Sequence, residues 1–436
     1  KCELNRKFVT LESHTEMVAS SRRRGRPTEL APDLLTSLPA HLLDCILTRL
    51  DLRDTVRTSA LSRAWRRRWE ALPYLPLSFV DKRGTAPVAV DHVLVRYPGH
   101  ISDFSFVLGA HSVTRIADWL IALSNRGVKS INLQYSSSSS FNLHSSVFLC
   151  TQLVYLELHQ CRIPPLPVGF TGFPVLEELK LYCAGFRENG ASHLEAILGA
   201  SPLLNFLKLY ALGMRGDRSN KWVIGGPNLR SLAITCVSDY GWRITDLPCL
   251  DEVSIDLGNY ESSGGFEGFI ARFAQVRKLI LHTRELPPLT NGNLMKTLPS
   301  TFNNLKSLKL WTHFGGRPAI LSTFCLLTNA PNLEELEIKI DRAEVDEGGA
   351  NNEYQNTQLT DTFCANLQVV KIDGIGWLRN EMRFIELVLS KAIVLLTMHL
   401  RLDRIGSMSN EDALCELMTY RRASPHAQVF FSAEME

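Results

Sequence analysis

The sequence predicts an α/β protein in two parts: a short helical module, then a long solenoid whose strands form a curved parallel sheet with helices or loops outside. Three observations support this prediction. The chain has 436 residues, which is more than one compact core usually holds. One short apolar phrase recurs through most of the chain after residue 100. The residues before it carry leucines and tryptophans at helical spacing instead.

Bulk composition excludes several classes of protein. The chain is 45% hydrophobic and 21% charged, which is typical of soluble globular proteins. Its net charge of +2 is too small to indicate a nucleic-acid or membrane partner for the whole molecule. No apolar run reaches the roughly 18 residues of a membrane span, because Glu386 and Lys391 interrupt the best candidate. We therefore expect no nucleic acid and no membrane among its partners.

The ten cysteines lie far apart and form no Cys-x-x-Cys pair, which argues against zinc clusters and redox motifs. No secretory leader is visible. We expect free, mostly buried thiols in a reducing nucleus and/or cytoplasm, with no metal and no cofactor.

The first element is a tail, residues 1–33, which we predict to be disordered and basic. Its run "SRRRGRP", Ser21 to Pro27, is either a nuclear address or a solvated tail, and the second interpretation is favoured because short basic runs are common. Met17 is an alternative start of the protein, which the sequence leaves open.

The second element is a set of three predicted helices. Leu38-Pro39 marks a helix entry, since proline is tolerated in the first turn. The apolar stripe that follows consists of Leu42, Leu43, Ile46, Leu47 and Leu50. Asp51 to Asp54 offers a cap for a second helix, and a third is predicted from about Ser62, with Trp65 and Trp69 on one face. So small a unit is either a cap for the next domain or a docking module for another protein's helices.

These residues, together with "LSRAW" from Leu61, resemble an F-box over residues 34–78. The resemblance implies binding to a Skp-type adaptor and, through it, to a cullin-RING ubiquitin ligase. It assigns either adaptor docking or the module's own small core to nine residues, without dividing the two roles: Leu38, Pro39, Leu42, Leu43, Ile46, Leu47, Leu61, Trp65 and Trp69.

After a predicted linker, residues 79–99, the repeated phrase reads apolar, two residues, apolar, one residue, apolar. Its clear copies begin at Leu153, Leu176, Leu204, Leu229, Leu250, Val276, Leu305, Leu333 and Leu367, and weaker ones at Ile101, Val128 and Leu395. All steps between clear copies but the last fall within the 20–29 residues of leucine-rich repeats. Each phrase makes sense as one short strand per turn. Leucine-rich repeats have Asn or Cys at the ninth position of the phrase. Cys161 fits this pattern, whereas Cys183 and Cys236 fall one place early, so the copies are degenerate at this position.

We assign residues 100–360 to this solenoid and 361–432 to its last repeats. The latter region resembles the FBD segment that closes many plant F-box/leucine-rich-repeat proteins. The distance in sequence between the last two clear copies, which begin at Leu333 and Leu367, is longer than the others because an acidic Gly/Asn-rich loop, Asp341 to Gln358, lies between them.

Strand alternation predicts a target surface. If the leucines enter the core, the residues between and just after the last two apolar positions face the concave side of the solenoid. Tyrosine or tryptophan beside lysine in three repeats suggests anchors for a target of some acidic character. These residues are Lys180, Tyr182, Lys208, Tyr210, Lys309 and Trp311.

No phosphate-binding loop, zinc helix or nucleophile elbow occurs in the sequence, so we expect no enzyme and no catalytic residue. The resemblance implies instead the substrate-recognition subunit of a Skp–cullin–F-box (SCF) ligase, whose solenoid binds a protein target of unknown identity. The alternative is a non-proteolytic scaffold that binds the adaptor without delivering a target. An enzyme is the third hypothesis, because a site assembled from distant residues needs no local motif.

Overall fold

The structure is a computed structural model of the whole chain. It describes residues 38–433, except 64, 73–74, 76, 80–86, 138, 187–188, 215–220, 237–240, 258–265, 283–289, 292–293, 296–297, 313–316, 342–363 and 404–408. The predicted tail 1–33, the basic run, Met17 and nearly all of the acidic loop lie outside the described residues.

One sheet of 14 parallel strands runs through the described chain, and its spatial order is the order of the sequence. The strands are β1 (Leu77–Phe79), β2 (Asp103–Leu108), β3 (Ser130–Tyr135), β4 (Tyr155–His159), β5 (Glu178–Tyr182), β6 (Phe206–Tyr210), β7 (Ser231–Cys236), β8 (Glu252–Leu257), β9 (Lys278–His282), β10 (Ser307–Thr312), β11 (Glu335–Ile340), β12 (Val369–Ile375), β13 (Thr397–Leu402) and β14 (Gln428–Ala433). The prediction of an α/β leucine-rich-repeat solenoid is confirmed by this sheet, which does not close into a barrel within the described residues.

Every clear copy of the repeated phrase lies on one strand, from β4 to β12, and the weaker copies lie on β2, β3 and β13. Burial alternates along the strands that carry a copy of the phrase, so the last two apolar residues of a phrase are buried while their neighbours are not. The ninth position is also buried, as Cys161, Ala184 and Leu212 show. Apolar residues of different size occupy this buried position, which explains why the copies are degenerate there.

Helices and short strands cover the buried side of the sheet. The helices after the first two are α3 (Pro87–Arg96), α4 (Ile116–Ser124), α5 (Gly190–Gly199), α6 (Phe266–Ala271), α7 (Arg317–Thr328), α8 (Arg379–Lys391) and α9 (Asn410–Thr419). The short strands are Phe141–Asn142, Cys161–Ile163, Gly185–Phe186 and Gly213–Met214 in one parallel sheet, Trp222–Ile224 with Trp242–Ile244, and Thr290–Asn291 with Leu294–Met295. The core lies between the layers: Trp119 of α4, for example, packs edge-on against Phe106 of β2 at 5.0 Å.

Asparagine side chains join successive repeats at the edge where the strands begin. The amide of Asn228 donates to the Pro202 carbonyl at 2.8 Å, Asn332 to Asn303 at 2.9 Å and Asn366 to Pro331 at 3.0 Å. Each bond satisfies a carbonyl in the turn of the preceding repeat. The asparagine directly before the first leucine of these three phrases therefore joins each repeat to the one before it.

Two helices and a set of turns form the N-terminal module. α1 spans Ala40–Leu47 directly after Pro39, and α2 spans Leu52–Arg57. The predicted cap of α2 is confirmed, because the Asp51 carboxylate accepts the backbone N–H of Asp54 at 2.7 Å.

The predicted third helix is wrong. Residues Thr58–Ala60 and Arg68–Ala71 form short 3₁₀ turns, and Arg67 between them has a left-handed φ of 67°. Tertiary contacts explain the break. The Arg68 guanidinium is held by the Asp44 carboxylate at 2.9 Å and the Ala40 carbonyl at 2.6 Å. The Trp69 ring stacks on the ring of Tyr97, directly after α3, with centroids 6.4 Å apart.

The module is continuous with the solenoid. β1 follows it directly and pairs with β2, and the Tyr97 hydroxyl donates to the Leu72 carbonyl at 3.0 Å. The segment predicted as a linker contains α3 among its described residues. The predicted domain boundaries stay predictions.

A buried carboxylate fixes the start of α8 in the C-terminal region. Glu381 is 2% exposed and accepts the backbone N–H groups of Gly376 and Leu378, each at 3.0 Å. It closes the turn that follows β12. Inside β12, Gly374 has a φ of +84° at a register shift. A Cβ at Gly374 would lie 2.9 Å from the Ile340 carbonyl oxygen, so only glycine fits there.

We expect Glu381→Ala to lower the free energy of unfolding of the C-terminal repeats by about 3 kcal/mol, because it leaves two backbone donors without an acceptor. The first transition in urea unfolding should move to lower denaturant. Glu386→Ala, at an exposed position of the same helix, is the matched control. Equal shifts in both variants would show that Glu381 has no such role.

Candidate functional site

The first candidate surface is an apolar face of the N-terminal module. Leu42 and Ile46 lie one turn apart on α1, and their residues are 42% and 37% exposed. Leu61, in the turn after Thr58–Ala60, is 64% exposed. We call these three residues the docking face. Pro39 at the start of α1 is exposed too, while Leu38 is partly buried against the core.

The remaining predicted docking residues lie inside the protein. Leu43, Leu47, Trp65 and Trp69 are buried and belong to the core that is shared with the solenoid. The structure thus separates the two roles that the sequence left undivided: four side chains hold the module together, and Leu42, Ile46 and Leu61 face outward. The role of the outward residues in adaptor binding stays a prediction.

The turns of this module carry four arginines, Arg63, Arg66, Arg67 and Arg68. Arg68 is engaged by Asp44 and Ala40, as described above, whereas Arg63, Arg66 and Arg67 are exposed on turns. They sit on irregular backbone beside two buried tryptophans, in a chain of net charge +2.

We expect the purified chain to show no tight, salt-dependent binding to DNA or RNA. Binding through several arginines would release counterions and weaken steeply with salt. Titration of a labelled 20-nucleotide duplex and single strand at 50 and 200 mM salt measures this. An affinity that falls steeply with salt and is lost in Arg63→Gln/Arg66→Gln/Arg67→Gln would contradict the prediction.

The second candidate surface is the open face of the sheet, defined as the main-sheet side chains that alternate with the buried ones. An aromatic cluster covers it on β4 to β6, formed by Tyr155, His159, Tyr182, Phe206 and Tyr210. His159 stacks on Tyr182 with ring centroids 4.3 Å apart, and Tyr182 lies 5.9 Å from Tyr210. Tyr210 is 42% exposed, so the cluster presents an amphipathic ring to solvent.

Lys180 lies in the middle of this cluster. Its ammonium is 4.7 Å from the Tyr155 ring centre and 4.9 Å from that of Phe206, and it forms an ion pair with Glu178 at 2.8 Å. Two rings and one carboxylate therefore satisfy Lys180 within the protein. Its contribution is to hold the rings in place.

Glu157 organises the β4 edge of the cluster. It accepts hydrogen bonds from the Tyr155 hydroxyl and from His159, the latter at 2.6 Å. Burial alone would raise the pKa of Glu157, but these two hydrogen bonds, together with the charges of His159 and Lys180, outweigh it and hold the pKa below its usual range. Burial and the same bond to Glu157 raise the pKa of Tyr155. Glu157 therefore serves as an ionised acceptor that orients two rings.

A second aromatic group lies on β9 to β11. The His282 and Trp311 rings stack with centroids 4.2 Å apart, and the Lys339 ammonium lies 4.4 Å from the Trp311 ring centre. Burial lowers the pKa of His282, nearby Lys309 and Lys339 lower it further, and Asp256 opposes them. At neutral pH this histidine is therefore mainly a neutral ring.

All six predicted target residues lie on the open face, but they differ in their surroundings. Tyr182, Tyr210 and Trp311 belong to the two aromatic groups. The Lys180 ammonium contacts two rings and pairs with Glu178, and the Lys309 ammonium forms an ion pair with Glu337 at 2.5 Å. Within the described part of the chain, the Lys208 ammonium lies over the Tyr182 ring, 5.1 Å from its centre, and forms no ion pair. Their role in target binding stays a prediction.

The predicted target set lacks five residues of these groups: Tyr155, His159, Phe206, His282 and Lys339. Tyr155 and Phe206 stand at the third position of the phrase, which alternation also places on the open face. His282 and Lys339 stand directly after the last apolar position, in the column from which Tyr182 and Trp311 were taken. His159 stands in the same column, and the prediction left these three residues out because it kept only the repeats in which tyrosine or tryptophan stands beside lysine.

Of the nine cysteines that the structure describes, five are buried and four are exposed, and all nine are free thiols. Among the described residues no cluster of three or more His, Cys, Asp or Glu side chains is arranged to hold a metal ion. Burial raises the pKa of the Cys150, Cys161, Cys236 and Cys364 thiols to about 12, so these thiols stay protonated. Within the same residues, no helix has the length and apolarity that crossing a bilayer requires.

Known proteins resemble the chain in both of its parts. A family model described as "FBD-associated F-box protein At5g56370, LRR repeats" matches residues 116–338, and the F-box domain model matches residues 35–75.

Two relatives from Arabidopsis thaliana are similar over nearly the whole chain. F-box/FBD/LRR-repeat protein At1g13570 is 28% identical over 429 residues, covering 92% of this chain and 99% of the relative. F-box/FBD/LRR-repeat protein At1g78750 is 24% identical over 455 residues, covering 91% and 96%. A solved LRR protein of Leptospira interrogans aligns over 93% of this chain and all of its own with a TM-score of 0.36 and 14% identity, too low to support a conclusion.

Proposed function

Because this chain belongs to the plant family of F-box proteins with leucine-rich repeats and an FBD region, we propose that it is the substrate-recognition subunit of a Skp–cullin–F-box ubiquitin ligase. Proteins that combine an F-box with leucine-rich repeats serve in general as substrate adaptors of F-box-type ubiquitin ligases. The family resemblance predicted from the sequence is confirmed by the two family matches.

The observation that carries the proposal is the docking face. Leu42, Ile46 and Leu61 are large apolar side chains that the chain itself leaves exposed, while their neighbours Leu43 and Leu47 are buried. An F-box domain implies a Skp-type adaptor as its partner. Burying this face against an adaptor helix would remove apolar area from water, which is the main driving force of such an interface.

The open face of the sheet is the proposed target surface. Its two aromatic groups combine large rings with charged neighbours, the composition that is enriched where proteins bind proteins. Solenoids present extended surfaces of this kind to their partners. The target remains a protein of unknown identity.

In this proposal the chain supplies no chemistry. It holds a target lysine close to a ubiquitin-loaded enzyme that the cullin-RING part of the ligase brings, and the rate gain comes from proximity and orientation. We place the protein in the nucleus and/or cytoplasm, where the other ligase subunits and reduced thiols are expected.

Affinity capture under proteasome inhibition tests the proposal. The intact chain and a Leu42→Asp/Ile46→Asp variant serve as baits, because deleting the module would uncover Tyr97 and the rest of its packing surface. Adaptor and cullin should be lost with the variant, and target proteins should remain. A protein captured by both baits should also be ubiquitinated in the presence of the intact chain alone.

The alternative is a scaffold that binds the adaptor and delivers nothing. It predicts the same adaptor capture but no change in the lifetime of any protein held by the open face. Measuring the half-life of captured targets with and without the intact chain separates the two functions. Unchanged half-lives of all targets would overturn the ligase proposal while leaving adaptor binding intact.

A further inference from the structure

Two lysines of the open face form no ion pair with a carboxylate of the described residues. From β4 to β13, each described carboxylate of this face lies beside a cation or a histidine. The pairs are Glu157–His159, Glu178–Lys180, Glu252–Lys278, Asp256–His282, Glu337–Lys309, Glu335–Lys371 and Asp373–Arg401. Among the residues that the structure describes, no carboxylate lies within 4.0 Å of the Lys208 or the Lys339 ammonium.

An aromatic ring holds each of these two lysines. The Lys208 ammonium is 5.1 Å from the centre of the Tyr182 ring, and that of Lys339 is 4.4 Å from the Trp311 ring. A cation–π contact positions an ammonium without neutralising its charge, and it leaves hydrogen-bond donors free on the side away from the ring. Each lysine is thus prepared to meet an anion beside an apolar ring.

The spacing of the two lysines defines the length of a ligand. Lys208 is on β6 and Lys339 on β11, five strand spacings apart, or about 24 Å along the sheet. An extended peptide covers that distance with about seven residues. Between the aromatic groups, β7 and β8 carry small side chains at Ala233, Thr235 and Ser254, which leave room for a peptide backbone.

We propose that the open face recognises an acidic peptide segment of the target, laid across the strands, with two anionic side chains about seven residues apart that pair with Lys208 and Lys339. The proposal rests on the function proposed above and names the chemistry of its target. The anions are carboxylates or phosphorylated side chains, and the apolar neighbours of each anion pack against Tyr210 and Trp311.

Charge distribution favours a peptide over a nucleic acid. A continuous row of phosphates crossing from Lys208 to Lys339 would pass the carboxylates of β7 to β11, among them Glu252, Asp256 and Glu337. Two discrete anions avoid that repulsion.

Selection of random 15-residue peptides, displayed on phage, against the intact chain tests the proposal. We expect enrichment of peptides with acidic residues at two positions six to eight residues apart. The best peptide, synthesised and labelled, should bind Lys208→Gln/Lys339→Gln about tenfold more weakly, since each exposed ion pair contributes up to a few-fold in affinity. Lys208→Arg/Lys339→Arg should retain binding, because arginine keeps both the charge and the ring contact.

The matched control is Lys221→Gln/Lys391→Gln, which removes two charges from positions off the main sheet and should leave the affinity unchanged. Versions of the peptide with glutamate or phosphoserine at the two positions identify the preferred anion. The proposal is overturned if no peptide is enriched, if the enriched peptides lack the acidic pair, or if Lys208→Gln/Lys339→Gln binds as wild type does. Equal weakening in the control also overturns it, as does binding of a 20-nucleotide RNA that depends on the same two lysines.

Failure of this proposal is distinguishable from failure of the ligase function. Peptide binding needs no adaptor, and adaptor capture by the lysine variants reports their folding and the docking face alone. A chain that captures the adaptor but selects no acidic peptide therefore refutes only the target chemistry.

Discussion

The Leu42→Asp/Ile46→Asp double variant should lose capture of a Skp-type adaptor almost completely, with affinity reduced at least 100-fold. Both side chains are exposed in the free chain, so the new carboxylates stay hydrated there and the fold is retained. In the complex the same carboxylates would be buried without partners, which costs several kcal/mol. Surface plasmon resonance with immobilised adaptor measures the loss.

The matched control is Val95→Asp/Val168→Asp, which adds the same charges at exposed valines outside the docking face. It should bind the adaptor as the wild type does. Undiminished adaptor binding by a folded Leu42→Asp/Ile46→Asp chain, with a wild-type unfolding midpoint, would show that the docking face has been placed on the wrong residues.

Removing the rings of Tyr182, Tyr210 and Trp311 from the open face should abolish target capture. Tyr182→Ala/Tyr210→Ala/Trp311→Ala deletes the anchors of both aromatic groups, and rings of this kind commonly contribute 2 kcal/mol or more each to an interface. We expect target affinity to fall at least 100-fold while adaptor binding is unchanged, because the docking face lies on the N-terminal module.

Ser130→Ala/Ser254→Ala/Thr397→Ala is the control for this triple variant, since it alters the same face without removing a ring. Quantitative mass spectrometry of captured targets under proteasome inhibition compares the three chains. Target capture that survives in the ring variant, with normal adaptor capture, would refute the open face as the target surface.

The repeat periodicity predicted the sheet well. Each phrase shows which side chains of its strand are buried, and the order of the phrases in the sequence is the order of the strands in the sheet. Leu179 and Leu181 are buried and Lys180 is not, as the alternation requires. The sequence did not reveal that β1 and β14 join the same sheet. β1 has three residues, too few for a periodic signal, and β14 lies in a segment interpreted through its family resemblance.

Long-range contacts explain the remaining differences. Trp65 and Trp69 have helical spacing, yet the backbone between them turns left-handed at Arg67 because Asp44, Ala40 and Tyr97 fix the following residues. The lysines of the open face look alike in the sequence. In the fold, Lys180 pairs with Glu178 of its own strand and Lys309 pairs with Glu337 of the neighbouring strand. Lys208 instead lies over the Tyr182 ring. These partners are set by contacts that form only when the chain folds.

Because β1 is the first strand of the main sheet, the number of strands between β1 and any later strand gives the distance between the N-terminal module and that strand. Tyr182 on β5 lies four strand spacings from β1, about 19 Å along the sheet, and Trp311 on β10 lies nine spacings away, about 43 Å. Each repeat gained or lost between β1 and β5 would move a bound target by about 4.8 Å relative to the docked ligase. Related chains with the same two surfaces but a different number of intervening repeats would then present different lysines of one target to the ubiquitin-loaded enzyme.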